Sequence, residues 1–275
     1  MNSQVGDTKT EFVSKPHFIA YFDILGYAEL IAKDDGDIRL VKMICHYVEK
    51  LREMFSDPIR FDNRPEYDLK LKVFSDNFVI CSERNWREVL SLTALLQRRL
   101  VMSNVFIRGA LYYGDLFFND EFISGRGLVE AYKIESQTAF FPRVIVDEKF
   151  TDEAIAETNI IIDEIVKKMP RWTHDNDYLL KELRYITTDF DECKYIDYLK
   201  AEHLFVLDLQ GTYPDSDFVK LLTTHRDNVA SNVELHCANR KVLQKYQWCK
   251  NYHNNFCNSN SYPELTINQG VSHNE

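Results

Sequence analysis

The chain has 275 residues, 45% apolar and 28% charged, which is enough for a full hydrophobic core, and no stretch approaches the roughly 18 apolar residues of a membrane span. Lys and Arg total 33 against 43 Asp and Glu, a formal charge of −10, which disfavours a long nucleic-acid track but not a small anion held through a bound cation. Six cysteines (Cys45, Cys81, Cys193, Cys237, Cys249, Cys257) without a C-x-x-C pair disfavour a zinc site or disulfide framework, and the polar start MNSQVGDTKTEFVSK lacks a signal-peptide core, so the expected location is the cytoplasm.

HFIAYFDILGYAELI predicts a buried strand ending at Phe22 or Asp23, then a tight turn at Gly26 and a helix. Apolar residues at three- and four-residue spacing between Asp37 and Phe55 predict an amphipathic helix, broken by Asp57, Pro58, Asn63 and Pro65. YDLKLKVFSDNFVICSE alternates up to Phe74 and again from Phe78, which predicts a hairpin bending at Ser75-Asp76-Asn77. NWREVLSLTALLQRRLVMS is a second helix, NVFIRGALYYGDLFFND a strand interrupted by Gly109 and Gly114, GRGLVEAYKIES a helix and PRVIVDEKF a short strand. The order β-α-α-β-β-α-β-α-β predicts an α/β (α+β) layer of mixed sheet with covering helices. Composition then changes. The expected division is an N-terminal extension over 1–16, a catalytic domain over 17–150, a mostly helical C-terminal appendage over 151–257 and a mobile polar tail over 258–275.

Two carboxylates at strand ends, Asp23 and Asp76, supply the oxygen donors that a hard divalent cation needs, and the Ile24 carbonyl can add a third. In the turn after Asp23, the N–H groups of Leu25, Gly26 and Tyr27 at a helix start offer hydrogen bonds to a triphosphate. Alone, Asp23 reads as an N-cap and Asp76 as a turn residue. Together, both follow buried-looking strands, where a carboxylate needs a cation or donors to offset desolvation.

FDILGYAEL, KVFSDNFVI, VFIRGALYYGDLF and GRGLVEAYKIES, in that order over residues 17 to 150, resemble the motifs of class III nucleotidyl cyclases. The downstream segment with Lys245, Tyr246, Trp248, Tyr252, His253 and Asn254 resembles the pyrimidine cyclases of bacterial Pycsar antiphage systems. The resemblance implies a ferredoxin-type sheet and a lyase that makes cyclic UMP from UTP, favoured over cyclic CMP from CTP. It also implies two Mn²⁺ (or Mg²⁺) per site, a homodimer with the site at its interface, and a separate effector that answers the cyclic nucleotide in antiviral defence. By this resemblance Asp23, Ile24 and Asp76 hold metal. Lys133, Lys72 and Arg108 are candidates to face the charge that develops at phosphorus, and Lys72 also matches the base-reading Lys. Tyr21 is a candidate to pack on the base, with a core position as its other reading, and Phe22 reads as core.

The sequence departs from the family where Val129 replaces an Asn that orients ribose, Lys133 replaces an Arg, and Phe122 replaces the Asp that reads adenine. These departures leave open a catalytically inactive sensing or interaction module. A palm-type polymerase or dinucleotide cyclase fits less well, since a GGDEF-like hairpin is absent. His203, His225, His236 and His253 follow no ligand spacing and read as surface or interface residues. TTDFDECKYIDY, with Asp189, Asp191 and Asp197, reads as a helix cap, and KYQWCKNYHNNF as a packing helix.

Overall fold

The computed structural model describes residues 13–32, 38, 41–43, 45–47, 49–50, 68–119, 121–168, 179–208 and 215–268. The breakers Asp57, Pro58, Asn63 and Pro65, most of the N-terminal extension and residues 269–275 lie outside them. The chain runs β1 (Lys15–Ile24), α1 (Tyr27–Ile31), β2 (Lys70–Phe74), β3 (Asn77–Ser82), α2 (Trp86–Met102), β4 (Ile107–Phe118), β5 (Ile123–Ser124), α3 (Arg126–Gln137) and β6 (Val144–Val146). It continues through α4 (Glu148–Lys168), β7 (Ile186–Thr188), β8 (Lys194–Ile196), α5 (Tyr198–Asp208), α6 (Asp215–Leu235) and α7 (Arg240–Ser259). The described residues from 38 to 50 are helical, where the sequence predicts a helix.

One mixed sheet has the order β2-β3-β1-β4-β6-β8-β7, with β5 on β4. Its first four strands are antiparallel neighbours, β3 between β2 and β1 and β4 on the far side of β1, which is the strand order of the split βαβ, ferredoxin-type core. Strand alternation sends Phe18, Ala20, Phe22 and Ile24 to one face and Ile19, Tyr21 and Asp23 to the other. The first set joins Phe78, Ile80, Leu90, Leu96, Leu100 and Phe150 in the main core, under α2 and α4. Phe22 stacks on Phe78 with ring centroids 5.0 Å apart, so the core reading of Phe22 holds. Each such buried ring stabilises the fold by about 1.5–3 kcal/mol relative to exposure. Trp86 Nε1 donates to Thr158 Oγ1 at 3.2 Å and ties α2 to α4.

The second face is covered by α3, whose Ala131 packs with Ile19, Tyr21 and Val79. Gly114 and Gly127 set that approach. A Cβ on Gly127 would lie 2.6 Å from Ile19 Cδ1 and 2.8 Å from the Gly114 carbonyl carbon, so the helix backbone comes close to the strand backbone beside the Ile19 side chain.

The division expected at residue 150 falls inside α4, and β7 and β8, from beyond it, extend the same sheet through the pair Ile145 and Tyr195. The C-terminal part is helical as expected, and it is packed on the first part. Tyr198, Leu199, Phe218, Leu222, Trp248 and Tyr252 share a core with Val101 and Phe106 of the first part. The segment from 258, expected to be mobile, is packed through residue 268: α7 runs to Ser259, and Leu265 and Ile267 are buried. Its polar composition hid this, because the ordering contacts are Asn254 bonds to the Ile267 backbone and a His253 bond to the Leu265 carbonyl. His225 and His253, read as surface or interface, are likewise buried and stacked, with ring centroids 5.0 Å apart.

Candidate active site

Asp23, next to last in β1, stands opposite Asn77 on one side and Arg108 on the other. Asp76 closes the two-residue turn between β2 and β3, where Ser75 takes a left-handed φ of 56°. The Asp76 carbonyl accepts the Ile24 N–H at 3.0 Å, so the sheet itself brings the two acidic positions together. Asp23 does not cap α1. That helix starts at Gly26, with φ 69° and no side-chain cap.

The side chains form two sets of polar contacts. Arg108 Nε and Nη2 donate to the two carboxylate oxygens of Asp23 at 3.2 and 3.3 Å. The same Nε lies 2.8 Å from Oε1 of Glu135, the residue that follows Gly127 and Ala131 on the sheet-facing stripe of α3. Asn77 Nδ2 donates to Asp76 Oδ1 at 2.9 Å, and the Tyr21 hydroxyl donates to Asn77 Oδ1. Tyr21 is buried, and Tyr132 meets its ring edge to face at 5.9 Å.

Burial opposes the Arg108 charge, but the hydrogen bond and field of Asp23, then Glu135, outweigh it and hold its pKa above the ordinary value. Glu135 is only 2% exposed, and its Oε1 has no partner in hydrogen-bond geometry despite the nearby guanidinium. Burial first, then the charge of Asp23, pushes its carboxyl up to about 7, against the pull of Arg108 and Lys245.

Among the expected residues, the fold gathers Asp23, Ile24, Asp76, Arg108 and Tyr21. Lys72, opposite Val79, lies on the same face as Tyr21, with Nζ 5.9 Å from the centre of the Phe118 ring. Two expectations need correction. Leu25 N–H is not open to phosphate, because it donates to the Phe106 carbonyl at 2.8 Å, whereas Gly26 and Tyr27 N–H have no partner among the described residues. Lys133 is not turned toward Asp23 of its own chain; it is exposed on α3 and pairs with Glu130 at 2.9 Å. Two residues along a helix is about 200° of rotation, so the buried position belongs to Glu135.

Sequence reasoning missed two members of the site. Glu135 was legible as an acid four residues after the small, sheet-facing Ala131. Asn77 needed the hairpin register. The donor set of Asp23, Asp76 and the Ile24 carbonyl is all oxygen and fits Mg²⁺ or Mn²⁺ in kind, and beside it the buried Glu135 Oε1 lacks a hydrogen-bond partner among the described residues. Metal entry requires Arg108 to yield Asp23. Among the described residues no three His, Cys, Asp or Glu side chains are gathered closely enough to form a metal-binding group.

A cavity of about 730 Å³ lies elsewhere, between β7, the start of α5 and α7, and includes none of these residues. On its wall Asp197 caps α5, accepting the Lys200 N–H at 3.0 Å, as the cap reading predicts. Asp189 and Asp191 instead clamp the buried Arg143. No protein-family model matches the chain, and no curated protein matches it.

Proposed function

We propose that the chain is a metal-dependent nucleotidyl cyclase that converts UTP to cyclic UMP, or CTP to cyclic CMP, with release of diphosphate. The observation that carries this reading is the meeting of Asp23 and Asp76 at one end of a ferredoxin-type sheet, linked by the Ile24 to Asp76 bond and flanked by Arg108. In the reaction the 3′-hydroxyl oxygen bonds to the α-phosphorus, the bond to the β-bridging oxygen breaks, and the hydroxyl proton leaves to a base. A divalent cation, once bound by Asp23, Asp76 and the Ile24 carbonyl, supplies Lewis acidity to the nucleophile and neutralises phosphate charge. In this reading Arg108 takes charge that develops at phosphorus, and the Gly26 and Tyr27 N–H groups, which have no partner among the described residues, donate to phosphate oxygens. The site has no need of a covalent nucleophile.

The homodimer belongs to the same reading. Lys133 points to solvent, so it reaches a reacting phosphate only on a second chain. Phe74, Phe122, Val129 and Tyr132 are exposed around the α3 side of the sheet, apolar area that a partner copy covers. The product serves, in this reading, as an antiviral messenger to a separate effector in the cytoplasm. Among the described residues no helix is long and apolar enough to cross a membrane. One observation favours the inactive sensing module instead: Arg108 already neutralises Asp23.

Complementation separates the readings. Asp76→Ala and Lys133→Ala chains are each expected to be inactive with Mn²⁺ and UTP or CTP, and their mixture to recover about a quarter of wild-type turnover, the share of one intact site among the assembled dimers. Full activity in Asp76→Ala alone overturns the proposal.

A further inference from the structure

We infer that Lys245, carried by α7 of the C-terminal region, is a triphosphate-contacting residue of the site built by Asp23 and Asp76. The inference rests on the cyclase reading and adds to it a phosphate ligand from outside the ferredoxin-type core.

The placement follows from contacts. Tyr246 packs edge to face on Phe106 at 5.1 Å, and the Phe106 carbonyl is the group that receives Leu25 N–H. Leu25 in turn packs against the C-terminal core. The early turns of α7 therefore lie against the segment that follows Asp23, where Gly26 and Tyr27 present their N–H groups. Lys245 sits in those turns, with Nζ 5.9 Å from the centre of the Phe140 ring, just past the end of α3.

The other cations of the site have partners in the chain. Arg108 is held by Asp23 and Glu135, Lys133 by Glu130, and Lys72 lies over Phe118. Lys245 makes no salt bridge among the described residues, although it is half-buried and within the field of Arg108, Asp23 and Glu135. Burial, then the Arg108 charge, pulls its pKa below the ordinary lysine value. A half-buried ammonium with no salt bridge among the described residues, on a helix that packs beside the segment after Asp23, fits a polyanion that brings its own charge. Lysine suits that role as a compact charge on a flexible stem. The geometry also gives the C-terminal region a chemical part in the site.

The test is binding of inorganic tripolyphosphate with Mn²⁺ to the full chain by calorimetry, compared among wild type, Lys245→Met, Lys245→Arg and Lys241→Ala. Methionine keeps the stem on Phe140 and removes only the charge, and matching unfolding midpoints establish that it folds. The expected result is a loss of about 10- to 100-fold in affinity for Lys245→Met, the scale of one charged hydrogen bond. Near-full recovery is expected in Lys245→Arg and no change in Lys241→Ala, with KM for the nucleotide rising in parallel. Wild-type affinity in Lys245→Met, alongside a wild-type chain that makes cyclic nucleotide, overturns this inference and leaves the cyclase reading standing. A wild-type chain that neither binds tripolyphosphate nor makes product overturns both.

Discussion

Two arginine-acid clusters in this molecule use the same residue types to opposite ends. Arg143 is fully buried, clamped by Asp189 and Asp191, and surrounded by Phe141, Tyr195 and Trp248 with ring centres 5.3 to 5.9 Å from its guanidinium. Trp248 Nε1 also donates to Asp189 at 2.7 Å, although Arg143 Nε, like Glu135 Oε1, is buried without a hydrogen-bond partner among the described residues. Arg108 is partly open to solvent, shares one Nε between Asp23 and Glu135, and leaves a buried Glu135 oxygen without a proper donor. The Arg143 cluster holds elements together, here β6, the β7–β8 hairpin and α7. The Arg108 cluster differs in being partly open to solvent and beside Asp76, where a ligand can add charge.

The contrast is sharpest in stability. Replacing Arg143 with Leu strands two acids beside an apolar core, and a loss of about 3–5 kcal/mol in urea denaturation is expected. A loss under about 1 kcal/mol would mean the clamp is not structural. In the other cluster, Asp76→Ala is expected to leave the unfolding midpoint nearly unchanged while product formation falls on the order of 100-fold or more. A large midpoint drop there would erase the distinction drawn between the clusters.

Glu135 gives the comparison a pH axis. Its folded-state pKa, about 7, lies above the ordinary 4.5, so between those values the folded chain binds more protons than the unfolded one. Its contribution to stability is therefore complete below about 4.5 and is lost as pH rises toward 7, by up to about 3 kcal/mol. Urea midpoints of wild type and Glu135→Gln are expected to diverge in the variant's favour as pH rises from 5 to 8. Glu157, also raised to about 7 mainly by burial, is common to both proteins and cancels in the difference. Parallel pH profiles would show that Glu135 is already ionised at pH 5.

Smaller effects test the frame that carries the open cluster. Gly127→Ala forces a methyl between α3 and β4, and a cost of about 1–3 kcal/mol is expected. Lys133→Ala, at an exposed position, is expected to change stability by no more than about 0.5 kcal/mol, whatever it does to turnover.

The sequence made the core strands and helices legible because alternation and helical spacing are local, and the hairpin at Asp76 follows from a break in that alternation. It also located Asp23, since an acid directly after a buried strand stands out. What it hid depends on chain paths that no local period records. Lys133 and Glu135 are two residues apart, and only the seating of Gly127 and Ala131 on the sheet decides which one turns inward. The β7–β8 hairpin, whose strands have three residues each, is too short to declare itself, and without it the C-terminal half reads as a separate helical piece. Lys245 reaches the site only because that half is not separate.

The most direct test of the central claim is incubation of the purified chain with each of the four ribonucleoside triphosphates and Mn²⁺, with products resolved by mass. The account predicts cyclic UMP or cyclic CMP, absent when Asp23 is replaced by Ala. No cyclic nucleotide from any of the four, in a folded chain that binds Mn²⁺, would contradict it.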